Sequence, residues 1–193
     1  MNQFELKDEE LIKKFQEGDI GAYTQIVNRY KDRLFNFIYR YVYDLDKAED
    51  LLQDTFLKLY THKNSYREIA KFSTWLYTIA GNLAKTELRK LKRRKTYSIS
   101  EVSRDNQEFV IKNPDADTEN DANSINIERN IQNALSQLPL DFKTIIILRD
   151  IQELSYDDIS RIVDIPIGTV KSRINRGRLK LQKLLTSKGE RLI

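Results

Sequence analysis

Lys171, Ser172, Asn175 and Arg176 fall on one arc of a helical wheel, opposite an arc made of Val170, Ile174, Gly177, Leu181, Leu184 and Leu185. The second arc must pack against something. The first carries donors and acceptors suited to base edges in a DNA major groove, where Arg pairs at two points with guanine and Asn with adenine. Arg173, Arg178 and Lys180 lie toward the flanks of the same helix, better placed for phosphates, which position a helix without reading sequence. The segment before it completes a pattern. Ser155 and Asp158 make a capping box on a helix through Ile162, a tight turn follows at Val163 to Ile165, and Pro166 suits the first turn of the next helix. This is helix-turn-helix spacing.

A second set of residues combines an aromatic ring with cations. Phe72, Trp75, Leu76, Ile79, Ala80 and Leu83 mark an apolar helix face, while Thr78, Asn82, Lys85 and Arg89 share the exposed arc. Stacking and phosphate neutralisation together suit unpaired DNA. Trp75 lies on the apolar arc, so packing into a core is an equal reading for it. Ahead of this helix a polar loop, Thr61 to Lys71, holds Lys63, Asn64 and Ser65. His62 beside them reads as a solvated loop residue.

A third set is acidic. From Asp44 to Asp54 the net charge is −4. Acids there would repel DNA, so this helix is expected to meet a protein. Clustered carboxylates also hold Mg²⁺, which makes Asp44, Asp46, Glu49, Asp50 and Asp54 the basis of a competing reading, a metal-dependent nuclease. Those acids lie largely on the exposed side of a helix, with no evident base or catalytic loop beside them, and no metal or other cofactor is expected.

Composition narrows the alternatives further. The 193 residues carry a net charge of +4, no Cys and one His, so disulfide frameworks, thiolate nucleophiles, zinc fingers and His-based triads are excluded. No catalysis is expected of the chain. Six Gly and three Pro are too few for a turn-rich β sandwich, and no apolar run approaches the roughly 18 residues that span a bilayer. The acidic N-terminus lacks the apolar core of a signal peptide, so the protein is expected to be cytoplasmic. Charge is segregated: residues 85–95 net +6, residues 96–124 net −5 and residues 171–191 net +7. Two basic helices flanking an acidic spacer point to a polyanionic partner.

The elements that would position these sets are helical. Asp8 is expected to cap a short helix ending at Gly18, and Asp19 a longer one with Tyr23, Ile26, Val27, Tyr30, Leu34, Ile38 and Tyr41 on its buried face. Asp46 with Glu49 resembles a capping box. Ile127, Ile131, Leu135 and Leu138 define a helix stopped by Pro139, and Asp141 can cap the next, through the run TIIIL. The expected architecture is all-α: a helical domain over 1–95, a flexible acidic linker over 96–124, and a helix-turn-helix domain over 125–193.

The segment LSYDDISRIVDIPIGTVKSRINRGRLKL resembles the −35-reading helix-turn-helix of bacterial sigma-seventy family factors, in their small extracytoplasmic-function (ECF) group. AEDLLQDTFLKLY resembles the family's helix that docks on the RNA polymerase β′ clamp, and FSTWLYTIAGNLAKTELRKLKRR its −10 melting and recognition helix. The resemblance implies a dissociable subunit that binds core polymerase (β′ clamp and β flap) and promoter DNA, without catalysis, and for which an anti-sigma partner is common. It suggests Asp50, Gln53, Asp54 and Leu57 as polymerase contacts. For the −10 element it suggests Lys63, Asn64 and Ser65 in the loop with Trp75, Asn82, Lys85 and Arg89 on the helix. Gly81, Thr86, Asp164 and Gly177 depart from the family pattern; Asp164 suits a left-handed turn and Gly177 lies on the packed arc. The alternative is a stand-alone helix-turn-helix regulator, which would need a ligand-binding or receiver domain that residues 1–95 do not suggest.

Overall fold

Asp19 starts the helix that organises the first half of the chain, accepting from the Ala22 N–H at 3.1 Å, and its apolar stripe then stays buried for six turns. That helix is α2 (Ile20–Val42), preceded by α1 (Asp8–Gln16) and followed by α3 (Leu45–Thr61), a 3₁₀ turn at Lys63–Ser65, and α4 (Phe72–Glu101). The second half comprises α5 (Glu119–Gln137), α6 (Leu140–Ile146), a π turn at Ile147–Ile151, α7 (Tyr156–Val163) and α8 (Ile167–Gly189). The computed structural model describes residues 6–101 and 119–189, apart from the side chains at 92, 95–101, 119–125 and 187–189. Among the described residues there is no strand.

Helices α1, α3 and α4 pack around α2. Phe15, Phe37, Tyr41 and Phe72 are fully buried there with Leu11, Ile26, Leu34, Ile38, Leu59 and Leu76. Each such aliphatic or Phe side chain contributes about 1.5–3 kcal/mol by leaving water. In the second half, Ile145, Ile147, Leu148, Ile159, Ile162, Val170 and Ile174 are buried, and they join the first half's core in one continuous apolar cluster. A smaller cluster of Leu135, Leu138 and Ile146 seats the later turns of α8 through Leu181 and Leu184.

Several caps differ from expectation. Asp8 is the first residue of α1, not its cap; its carboxylate turns back to Arg29 at 2.5 Å and to the Tyr30 hydroxyl, while Glu10 accepts from the Lys7 N–H. Asp44, not Asp46, caps α3, accepting from Lys47 N–H at 3.0 Å. Asp141 lies inside α6, whose cap is Pro139, and is drawn to Arg173 instead. Cations take the carboxylates of Asp8 and Asp141, and Asp44 stands one residue before the helix, where a capping carboxylate has to be, while Asp46 is already inside it. Residues read as linker extend the helices: α4 continues to Glu101, with no Gly or Pro between Gly81 and Pro114 to stop it, and α5 begins at Glu119. Residues 102–118 lie outside the described residues. The TIIIL run is helical and passes into the π turn, after which Glu153 adopts φ 56°.

Candidate nucleic-acid and polymerase interfaces

The helix-turn-helix forms as its residues dictate. Ser155 caps α7, accepting from the Asp158 N–H at 3.1 Å; Asp164 takes the left-handed conformation at φ 54°; and α8 begins directly after Pro166. Val170 and Ile174 are buried, and Gly177 lets α8 approach α6 so closely that an added Cβ would lie 3.1 Å from Ile146. The opposite arc stays in water: Lys171, Ser172, Asn175 and Arg176 are all exposed. Arg176 Nη2 donates to Ser172 Oγ at 2.6 Å, which aligns two of the four side chains.

The flanking cations are held differently. Arg178 makes a two-point contact with the Asp150 carboxylate, whose hydrogen bonds push the guanidinium pKa up. Arg173 pairs with Asp141 at 3.3 Å, and the Lys180 ammonium lies 5.7 Å from the Phe142 ring centre. The geometry divides α8 into an exposed polar arc and a partnered flank.

On α4, Asn82 and Arg89 are exposed, but Lys85 is half-buried. Burial lowers its pKa, with Asp141 opposing that shift and Arg89 reinforcing it. Trp75 is half-buried at the edge of an aromatic floor, its ring centre 5.5 Å from Tyr66 and 6.1 Å from Phe72. In the preceding loop Asn64 and Ser65 are exposed on the 3₁₀ turn. Lys63 is committed elsewhere: its ammonium donates to the Phe15 carbonyl at 2.6 Å and sits 4.4 Å from that ring's centre. His62 is exposed, its ring against the Thr61 hydroxyl.

Asp50, Gln53, Asp54 and Leu57 share one exposed face of α3, spaced by three and four residues, with Leu57 59% exposed. Asp50 has a partner on its own helix, Lys47 at 3.4 Å. The other face buries Ala48, Leu51, Thr55, Phe56 and Leu59. Among the described residues no three of His, Cys, Asp or Glu converge as a metal site requires.

Some residues gain a role only in three dimensions. Asp158, expected as a cap partner, also receives the Lys71 ammonium at 3.0 Å and the Thr74 hydroxyl at 3.1 Å, both from the other half of the chain. Arg161 donates to the Ile69 carbonyl at 3.1 Å, and the Tyr77 hydroxyl to Gln152 Oε1 at 2.6 Å. These pairs are 75 to 92 residues apart, and no local spacing announces them.

Residues 26–94 match the Sigma-70 region 2 family and residues 128–181 the Sigma-70 region 4 family. The chain belongs to the ECF group of sigma-70 factors, which give RNA polymerase its promoter-specific initiation. It is 38% identical to the ECF RNA polymerase sigma factor SigW of Bacillus subtilis (strain 168), over 90% of this chain and 94% of that one. It is 39% identical to the ECF RNA polymerase sigma-E factor of Haemophilus influenzae, over 90% and 93%. Among solved structures, the sigma factor RpoE of Bartonella quintana, in complex with the anti-sigma factor NepR, matches with TM-score 0.64 at 29% identity, covering 85% of this chain and 96% of that one. CnrH, in complex with the cytosolic domain of CnrY, shares the fold with TM-score 0.71 at 20% identity, covering 93% and 97%. The match of a polymerase-binding region over 26–94 goes against the stand-alone regulator. Among the described residues no helix is long and apolar enough to cross a membrane.

Proposed function

We propose that α8 reads the −35 element through Lys171, Ser172, Asn175 and Arg176, while Arg173, Arg178 and Lys180 bind phosphates. In the same reading, α4 and the loop before it engage the −10 element. Asn82, Lys85 and Arg89 follow the backbone, Trp75 meets an unpaired base at its exposed edge, and Lys63, Asn64 and Ser65 line the loop. Asp50, Gln53, Asp54 and Leu57 on α3 dock on the β′ clamp, and the 125–193 half on the β flap. The 1–95 half therefore binds polymerase and −10 DNA, the 125–193 half −35 DNA, and the 96–124 segment joins them.

The exposed arc of α8, opposite a buried Val170, Ile174 and Gly177, is the observation that carries this reading. The protein acts by binding alone, with no catalysis and no cofactor, in the cytoplasm with polymerase. The solved relative from Bartonella quintana is bound to an anti-sigma factor, NepR, and this chain is suited to an anti-sigma partner of the same kind.

Run-off transcription with core polymerase tests the whole. Addition of the chain is expected to produce transcripts from defined start sites on templates carrying its promoter, selected from a library. Initiation indistinguishable from core polymerase alone across that library would overturn it.

A further inference from the structure

Gln16, the last residue of α1, donates its side-chain amide to two carbonyls of the loop before α4, Lys63 O at 2.8 Å and Tyr66 O at 3.2 Å. These two carbonyls bracket Asn64 and Ser65. The loop returns a bond: the Lys63 ammonium donates to the Phe15 carbonyl at 2.6 Å and lies over the Phe15 ring, at the C-terminal end of α1 where a cation is favoured. At the far end of the loop Glu9 accepts from the Phe72 N–H at 3.2 Å, one of the amides that the start of α4 leaves without an intrahelical partner.

Glu9 and Gln16 are seven residues apart, so they stand two turns apart on one face of α1. That face therefore holds the loop's main chain at both ends. The helix is itself fixed to α2, where Arg29 donates to the Leu6 carbonyl at 3.0 Å and to the Asp8 carboxylate at 2.5 Å, and the Tyr30 hydroxyl donates to Asp8. Between the 3₁₀ turn and α4, residues 66–71 have no helix to order them.

Burial separates two roles within the loop. Gln16 and Lys63 are half-buried against each other's main chain, whereas Asn64 and Ser65 are exposed. A loop that receives an unpaired base must take one conformation, and each residue ordered at that moment loses backbone entropy. Bonds that order it beforehand move that cost from binding to folding.

We propose that Glu9, Gln16 and Lys63 are positioning residues for the −10 loop, with α1 as the splint on which Asn64 and Ser65 are presented in one geometry to an unpaired base. Lys63 then serves the loop and not a phosphate. The proposal rests on the assignment of this loop to the −10 element, and it gives base preference to residues that touch no DNA.

The test is binding of full-length chain in holoenzyme to single-stranded −10 oligonucleotides with each base substituted in turn, at two salt concentrations. Gln16→Met removes two hydrogen bonds without changing charge, so discrimination at the base held by the loop should fall about tenfold while other positions keep theirs. Lys63→Met should relax the same position and leave the salt slope unchanged, whereas a lost phosphate contact would scale all sequences alike and flatten the slope by about 0.7. Glu9→Gln, which keeps an oxygen for the Phe72 N–H, should retain the preference that Glu9→Met loses. A second readout needs no DNA. Trp75 is the chain's one tryptophan and its ring centre lies 5.5 Å from that of Tyr66, so acrylamide quenching of its emission in the free chain should rise in Gln16→Met. Lys63→Met decides the matter if Gln16→Met loses its helical signal. Unchanged base preference in Gln16→Met, or a flatter salt slope in Lys63→Met, would overturn the proposal. Wild-type holoenzyme with no base preference anywhere in the −10 strand would instead overturn the reading on which it rests.

Discussion

The Lys143 ammonium donates to the main-chain oxygen of Tyr41 at 3.0 Å, a bond from α6 to the last turn of α2 with both residues buried. Helix ends leave carbonyls without intrahelical donors, and here a side chain from the other half of the chain supplies one.

Lys143→Met keeps the aliphatic stem and removes that donor. The Tyr41 oxygen then lies buried without it, at a cost of about 1–3 kcal/mol. Thermal unfolding followed by far-ultraviolet circular dichroism should show the loss. A melting temperature equal to wild type would mean that the Tyr41 carbonyl finds water or another donor.

The two helical glycines should respond oppositely to the same change. A Cβ at Gly81 would meet Phe37 at 3.7 Å, an ordinary contact, so Gly81→Ala should gain about 1 kcal/mol of helix propensity. A Cβ at Gly177 would lie 3.1 and 3.2 Å from Ile146, so Gly177→Ala must displace α8 or that side chain, at about 1–3 kcal/mol. Denaturant midpoints of the two variants should move to opposite sides of wild type.

Asp150→Asn should release Arg178 for a phosphate. Binding to DNA of any sequence would strengthen, and the slope of log affinity against log salt would steepen by about one contact. Arg176→Ala should act differently, relaxing preference at one base pair at a cost of about 1–3 kcal/mol. Binding of the full chain in holoenzyme to a library of −35 variants at two salt concentrations separates the two effects.

On α3, Asp50→Ala with Gln53→Ala removes exposed side chains only, so the change in stability should stay within about 0.5 kcal/mol. Affinity for core polymerase should nonetheless fall. Titration of labelled chain with core measures it, and an unchanged affinity would move the docking face elsewhere.

Acid should weaken the bonds that Lys71 and Thr74 make to Asp158. Burial pushes the Asp158 carboxyl up, but hydrogen bonds from Ser155, Lys71 and Thr74 outweigh it and hold the group below the ordinary value of 3.8. A depressed carboxyl contributes its full stabilisation above the unfolded value and loses it as pH falls through the folded one. The stability difference between wild type and Asp158→Asn, read from melting temperatures, should therefore be flat above pH 3.8 and shrink below it.

The apolar arcs of α2, α4 and α8 are legible in the sequence because burial imposes a period that a wheel detects. So is the turn of the helix-turn-helix, where Ser155, Asp164 and Pro166 each meet a local backbone need. The carboxylates are less legible. Asp8, Asp46 and Asp141 all have types and positions that suit a cap, yet Arg29, Asp44 and Arg173 decide where they go or whether they are needed. Lys63 reads as a free loop cation because nothing nearby in sequence reveals the Phe15 carbonyl. The bonds between the two halves are the least legible part. They join residues more than 70 positions apart, and neither Lys71 nor Asp158 carries a mark of the other.

The π turn at Ile147–Ile151 has a consequence for how such a chain can vary. It holds one residue more than an α-helical turn would, and it carries Gln152 to Tyr77 and leads into α7 with Asp158. The turn absorbs that extra residue, whereas inserting one more in α6, with no second bulge to take it up, would rotate everything downstream by about 100° relative to the start of α6. The Asp158 face would turn away from Lys71, while the sequence of α8 and its exposed arc would be untouched. A one-codon change could thus uncouple the two halves of the molecule without altering which DNA either half reads.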